Sequence, residues 1–104
     1  MELEQMIRFA ILGAGSIAEK MADTISQMNV SGMCHVELYA VAARDLERAE
    51  KFAQRFGVRT AYGSYEDMLR DDAVQLVYVA TPHSHHYKHV MMCLEHGKHV
   101  LCEK

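Results

Sequence analysis

Apolar residues along this chain fall into short continuous runs, separated by segments in which they recur every three or four positions. The run Ile7–Leu12, interrupted only by Arg8, predicts a first strand covered on both faces, since face alternation blurs in a parallel sheet. Ile17, Met21, Ile25 and Met28 follow at helical spacing and predict a helix from residue 16 to about residue 28 with those four on its buried face. Turn chemistry around Gly32, over residues 29–34, ends that helix. Val36–Ala42 predicts a second strand, after which Asp45 is placed to cap the next helix. Leu46, Ala49, Phe52, Ala53 and Phe56 lie on its inner face, Glu47, Arg48, Glu50, Lys51 and Gln54 lie on its outer face, and Gly57 stops it. Thr60–Tyr62 is a short third strand. Ser64 then caps a brief helix that ends near residues 70–72, with Asp67 in the acidic slot of a capping box. Residues 75–80 are nearly all apolar and β-prone, as a central parallel strand should be. Thr81-Pro82 breaks that strand. Residues 83–95 predict a helix with Val90, Met91 and Leu94 inward, Gly97 ends it, and His99–Cys102 is a fifth strand.

Strands and helices therefore alternate through five strands, which predicts an α/β fold, a doubly wound parallel sheet of the Rossmann type with right-handed crossovers. Ligands bind such sheets beyond the carboxyl ends of the strands, where the strand order switches. The loops expected there are residues 13–17, 43–45, 81–86 and 103–104. The first of them reads G-x-G-x-x-A across Gly13, Gly15 and Ala18. Gly13 allows a tight turn out of the strand, Gly15 lets the backbone approach a pyrophosphate, and Ala18 is small enough for close helix–strand packing. The corner Gly13-Ala14-Gly15-Ser16-Ile17 is thus the candidate cradle, with the pyrophosphate on the N–H groups that open the helix. An ordinary glycine turn has the same composition, but the strand before it, the helix after it and the converging loops favour a dinucleotide. At the end of the second strand an NAD site usually places Asp or Glu against the ribose 2′-OH. Here the edge reads Ala43-Arg44, small then cationic, which suits a 2′-phosphate and points to NADP(H) over NAD(H), with a solvated surface arginine as the plainer alternative.

Composition narrows the field without redirecting it. With 104 residues, 50% hydrophobic and 24% charged, the chain is expected to form one globular domain, small for a complete enzyme of this kind. A net charge of −3 with no basic block recommends neither nucleic acid nor an anionic membrane as partner. No apolar run approaches the roughly 18 to 20 residues needed to span a bilayer, and the start Met-Glu-Leu-Glu-Gln is acidic where a signal peptide is basic. The three cysteines, Cys34, Cys93 and Cys102, lack C-x-x-C spacing and read as reduced thiols in a cytoplasmic setting, the last two packed as small apolar residues. His85 and His89 lie one helical turn apart with His83 and His86 nearby, but no acidic or thiol ligand stands in register, so no metal site is expected. Met28, Met33, Met91 and Met92 read as core or loop packing.

Four blocks together, Gly13-Ala14-Gly15-Ser16-Ile17-Ala18, Ala42-Ala43-Arg44-Asp45, Ala80-Thr81-Pro82-His83-Ser84-His85-His86 and Gly97-Lys98-His99-Val100-Leu101-Cys102-Glu103-Lys104, resemble the N-terminal half of the Gfo/Idh/MocA oxidoreductase family. The likeness spans residues 7 to 104 and is nearest to the diol and sugar dehydrogenase branches. It implies reversible hydride transfer between a nicotinamide cofactor and a secondary alcohol of a sugar, polyol or diol. It also implies that Lys104, the lysine of the family's E-K-P motif, is the catalytic residue beside the nicotinamide and the substrate hydroxyl, with Glu103 at the motif's first position. A lysine there can stabilise a developing alkoxide or relay its proton. A solvated terminal charge is the plainer reading. By the same resemblance Thr81, Pro82, His83 and His86 border the nicotinamide ribose, with His83 standing where the family has Asn. The resemblance further implies a second, substrate-binding domain and homo-oligomer assembly, neither carried by these residues, so the chain is expected to be the cofactor half of a two-domain enzyme. A catalytically silent NAD(P)-binding regulator and a stand-alone nucleotide-binding module remain open as alternatives.

Overall fold

In the computed structural model, residues 7–31 and 36–102 are described, those at 28–31, 83 and 102 without their side chains. Five parallel strands, β1 (Ile7–Leu12), β2 (Val36–Ala42), β3 (Thr60–Tyr62), β4 (Leu76–Val79) and β5 (His99–Cys102), form one sheet in the order β3-β2-β1-β4-β5. The chain leaves β1 toward one edge and returns past it to the other, so the switch in order lies between β1 and β4. Along β1 the side chains alternate between two covered faces: Phe9 and Ile11 join one core, Ala10 and Leu12 the other, and all four are buried. This is the physical origin of the unbroken apolar run.

Helices α1 (Ser16–Ser31) and α2 (Leu46–Phe56) cover the Phe9/Ile11 face, while α3 (Tyr65–Leu69) and α4 (His86–Glu95) cover the Ala10/Leu12 face. Local chemistry sets most of their ends. The Glu47 N–H donates to Asp45 Oδ1 at 3.0 Å, and Gly57 closes α2 at φ 72° with its N–H on the Ala53 carbonyl. The Asp67 N–H donates to Ser64 Oγ at 3.3 Å, while the Asp67 carboxylate pairs with Arg70 at 3.1 Å. Gly97, at φ 74°, follows α4. Among the described residues no helix is long and apolar enough to cross a membrane.

Several details depart from the sequence expectation. Helix α1 continues to Ser31, because no proline or glycine interrupts its backbone hydrogen bonds before Gly32. Its buried stripe is Ala18, Ala22 and Ile25 with Met21 partly covered, whereas Ile17 is 42% exposed at the mouth of the cavity described below. Residues 83–85 form a separate 3₁₀ turn, and α4 turns His89 inward, beside Cys93 which packs as expected, while Met91 and Leu94 face out. Val90 is partly buried against the core, as expected. Leu46, at the start of α2, is likewise exposed. Cys93 is fully buried, and burial pushes its thiol up to about 11. The expected turn at Gly32, with Met33 and Cys34, lies outside the described residues, as do the side chains of Met28 and Cys102.

A polar knot fastens the α3–β4 loop to the sheet. Asp71 Oδ2 accepts from Tyr39 at 2.9 Å and Tyr62 at 2.6 Å, and Oδ1 accepts from the Ala73 N–H at 2.9 Å. The Lys98 ammonium donates to the Asp71 carbonyl at 2.8 Å. Burial alone would raise the Asp71 carboxyl, but those three hydrogen bonds and the Lys98 charge outweigh it and hold it below the ordinary carboxylate range. Burial and the Asp71 contact push the Tyr62 phenol up to about 12.

A carboxyl whose folded value is depressed contributes stability above its unfolded value and loses it as pH falls through the folded one. Asp71→Asn is therefore expected to cost about 1–3 kcal/mol at pH 7. In urea unfolding followed from pH 7 to pH 3, that difference shrinks toward zero as the wild-type carboxyl becomes protonated.

Candidate functional site

Strand β1 ends at a corner stitched to both neighbouring strands. The Gly13 N–H donates to the Ala42 carbonyl at the end of β2 at 2.8 Å, and the Ala80 N–H beyond β4 donates to the Leu12 carbonyl at 2.9 Å. Gly13 has φ +113°, and a Cβ there would meet the Ala80 carbonyl oxygen at 3.2 Å and Thr81 Cγ2 at 3.3 Å. Only glycine accepts both the dihedral and the crowding. Two residues on, the situation reverses: a Cβ on Gly15 would meet nothing within 4 Å. The Gly15 carbonyl accepts the Glu19 N–H at 3.0 Å, so Gly15 is the residue that opens α1. Having no side chain, it cannot cap the first-turn N–H groups itself.

A cavity of about 570 Å³ opens over this corner. Gly13, Ala14, Gly15, Ser16 and Ile17 form its floor. One wall is the end of β2 and the start of α2, with Ala43, Arg44, Asp45 and Arg48. The other is the exit of β4, with Ala80, Thr81, Pro82 and His85, together with Tyr65 from α3. The rim of the first wall is cationic and exposed at Arg44 and Arg48. Asp45 turns its carboxylate into the cap of α2.

The second wall is held from behind. His86 Nε2 lies 2.8 Å from the Thr81 carbonyl, and because a carbonyl only accepts, that nitrogen carries the proton. His89 Nδ1 lies 2.7 Å from Thr81 Oγ1. The His89 ring meets Tyr65 edge-on at 5.0 Å and lies 5.7 Å from the His85 ring. Burial, and then repulsion from Lys88 and Arg44 and from His85 and His86 when charged, hold His89 below the ordinary histidine value, which favours the neutral imidazole there.

Of the residues expected from sequence, Gly13, Ala14, Gly15, Ser16, Ile17, Arg44, Thr81 and Pro82 meet around this one cavity, and His86 stands behind its wall. His83 begins the 3₁₀ turn, its side chain being outside those described. Glu103 and Lys104 lie outside the described residues. Arg48, Tyr65 and His89 are not among the expected residues, and His85 enters only as part of the expected 81–86 loop. Arg48 had a visible signal, being a second arginine four residues after Arg44, whereas nothing along the chain marks His89. Among the described residues no three His, Cys, Asp or Glu side chains gather to hold a metal ion.

Comparison with known proteins gives a consistent picture. The family model described as "Oxidoreductase family, NAD-binding Rossmann fold" matches residues 7–104. The chain is 46% identical over 98 residues to trans-1,2-dihydrobenzene-1,2-diol dehydrogenase from Mus musculus, covering 94% of this chain and 28% of that protein. A solved NAD binding oxidoreductase from Klebsiella pneumoniae superposes with a TM-score of 0.86 at 29% identity, over 95% of this chain and 27% of its own. A 3-ketoreductase from Actinomadura kijaniata, solved in complex with TDP-benzene and NADP, superposes with a TM-score of 0.83 at 30% identity, over 94% and 30%. The chain thus spans less than a third of the length of each of these proteins.

The two glycines are expected to separate in a stability measurement. Gly13→Ala forces a strained dihedral against the Ala80 backbone and should cost about 1–3 kcal/mol. Gly15→Ala, facing open space, should stay within about 1 kcal/mol of wild type. Urea midpoints of the two variants check the contrast.

Proposed function

This chain belongs to the Gfo/Idh/MocA oxidoreductase family, whose NAD-binding Rossmann fold it carries, and we propose that it is the cofactor-binding part of an enzyme transferring a hydride between NADP(H) and a secondary alcohol of a sugar, polyol or diol. The observation that carries this reading is the single cavity joining the glycine corner, the Arg44 edge and the Thr81-Pro82 loop at the strand-order switch. A dinucleotide fits these residues. The space beside Gly15, which a side chain would fill, lies at the opening of α1, where N–H donors and the helix dipole favour a pyrophosphate. The bound nicotinamide would supply or accept the hydride. The chain's own residues anchor the phosphates, orient the ribose edge and shield the far end of the cavity with the Thr81-Pro82 loop.

The preference for NADP(H) rests on charge. Asp45 Oδ1 is engaged by the Glu47 N–H, which leaves the edge of the site to Arg44, and Arg48 stands one turn behind it on the same wall. Two guanidiniums suit a 2′-phosphate better than a ribose hydroxyl. The relatives themselves divide, one being described as NAD binding and another as a complex with NADP, so the choice falls to the residues of this chain.

In this reading Lys104 acts beside the reacting carbinol carbon, and Glu103 and His83 border the nicotinamide end. A second domain binds the small-molecule substrate and supplies the acid/base partner, and the whole enzyme works in the cytoplasm as a homo-oligomer.

Parallel fluorescence titrations with NADPH and NADH test the proposal. A charge-assisted hydrogen bond contributes about 1.5–3 kcal/mol, so Arg44→Ala should weaken NADPH about 10- to 100-fold and leave NADH within about threefold. Gly15→Ala should weaken both. Equal binding of the two nucleotides by wild type would remove the NADP(H) preference, and binding of neither by the folded chain would remove the cofactor site.

A further inference from the structure

His89 plays no part in the reading above, yet it is among the few polar side chains buried in this fold, at 5% exposure on the inner face of α4. It does not line the cavity. What it touches does: Thr81, Tyr65 and His85 are all wall residues. Thr81 is the informative one. Its Oγ1 is 2.7 Å from His89 Nδ1, its carbonyl is 2.8 Å from His86 Nε2, and its Cγ2 is 3.3 Å from the position a Gly13 Cβ would take. The two branches of the threonine side chain therefore point at different partners, the hydroxyl at His89 and the methyl at the glycine corner. A β-branched side chain is stiff about χ1, so holding one branch fixes the other.

We propose that His89 is a positioning residue for the nucleotide site, which through Thr81 Oγ1 selects the Thr81 rotamer and so sets the wall that faces the glycine corner. The proposal rests on the cavity being a dinucleotide site. Without the imidazole, Thr81 is free to rotate its hydroxyl toward Gly13, and the wall loses the shape that the β1–α1 corner requires. The groups around the ring are Tyr65 from α3, Arg44 from the loop after β2, His85 from the 3₁₀ turn, and His86 and Lys88 from α4 itself. The four cations among them, when charged, disfavour a further charge on His89, so the contact is a neutral hydroxyl–imidazole pair.

The test is NADPH titration of wild type, His89→Leu, Thr81→Val, the double variant and His89→Asn, with circular dichroism to establish that each is folded. Asn places a polar atom where Nδ1 stands. Each of His89→Leu and Thr81→Val should weaken binding about tenfold, the double variant should be no weaker than the worse single, and His89→Asn should return to within about threefold of wild type. A merely structural histidine would lower the unfolding midpoint without that rescue. The proposal is overturned if His89→Leu binds as wild type does, if the two losses multiply, or if Asn does no better than Leu. Should His89→Leu fail to fold, Thr81→Val decides with His89→Asn added to it: no weakening in the first, or a further tenfold loss in the second, overturns the proposal. Absence of NADPH binding by wild type would instead bring down the reading of the cavity, and the role of His89 with it.

Discussion

The close approach of the β1–α1 corner to the end of β4 is the constraint on which the site depends. Gly13 bonds β2 through its N–H and abuts Ala80 and Thr81 with the face where a side chain would be, while Leu12 accepts a hydrogen bond from Ala80. Three strands consequently end at one level around a single residue, and the loops that leave them open into the same space. The absence of a side chain is used twice, for different reasons. At Gly13 it lets the fold close, and at Gly15 it leaves the opening of α1 clear. Ala18 and Ala22, both fully buried, then bring α1 down onto the sheet.

That geometry distributes charge in a consistent way. The first turn of α1 offers a partial positive charge, Arg44 and Arg48 add two full ones on one wall, and the opposite wall contributes His85, with His89 buried behind it and held below the ordinary histidine value. A chain of net charge −3 thus presents two arginines at the rim of the cavity where an anionic cofactor would lie. On the α3/α4 side the knot at Asp71 ties β2, β3 and the α3–β4 loop through one carboxylate.

Much of this was legible in the residues because it is local. The runs at β1, β2 and β3 carry their own signal, and Asp45, Ser64, Gly57 and Gly97 mark helix ends by chemistry that needs only a few neighbours. The glycine corner and Arg44 could be placed because parallel strands force their carboxyl-end loops together. What escaped depends on tertiary partners. On α4 the apolar Met91 and Leu94 outrank His89 by hydrophobicity, and nothing along the chain says that a histidine will find Thr81 eight residues back and lie buried. On α1, Ile17 falls at helical spacing yet lies at a rim that is empty of protein, so its spacing alone gave the wrong burial. Tyr65 reaches the cavity from α3, an element whose place over the sheet is set only once the sheet has formed.

The most direct test of the account is a backbone amide NMR titration of this chain with NADP⁺. Gly13, Gly15, Ser16, Arg44 and Thr81 are expected to shift together and saturate with one affinity, while Arg59 and Gln75, before β3 and β4 at the opposite ends of the strands, stay still. Shifts confined to that opposite end, or to the groove between α2 and β3 lined by Glu50, Ala53 and Arg59, would contradict it.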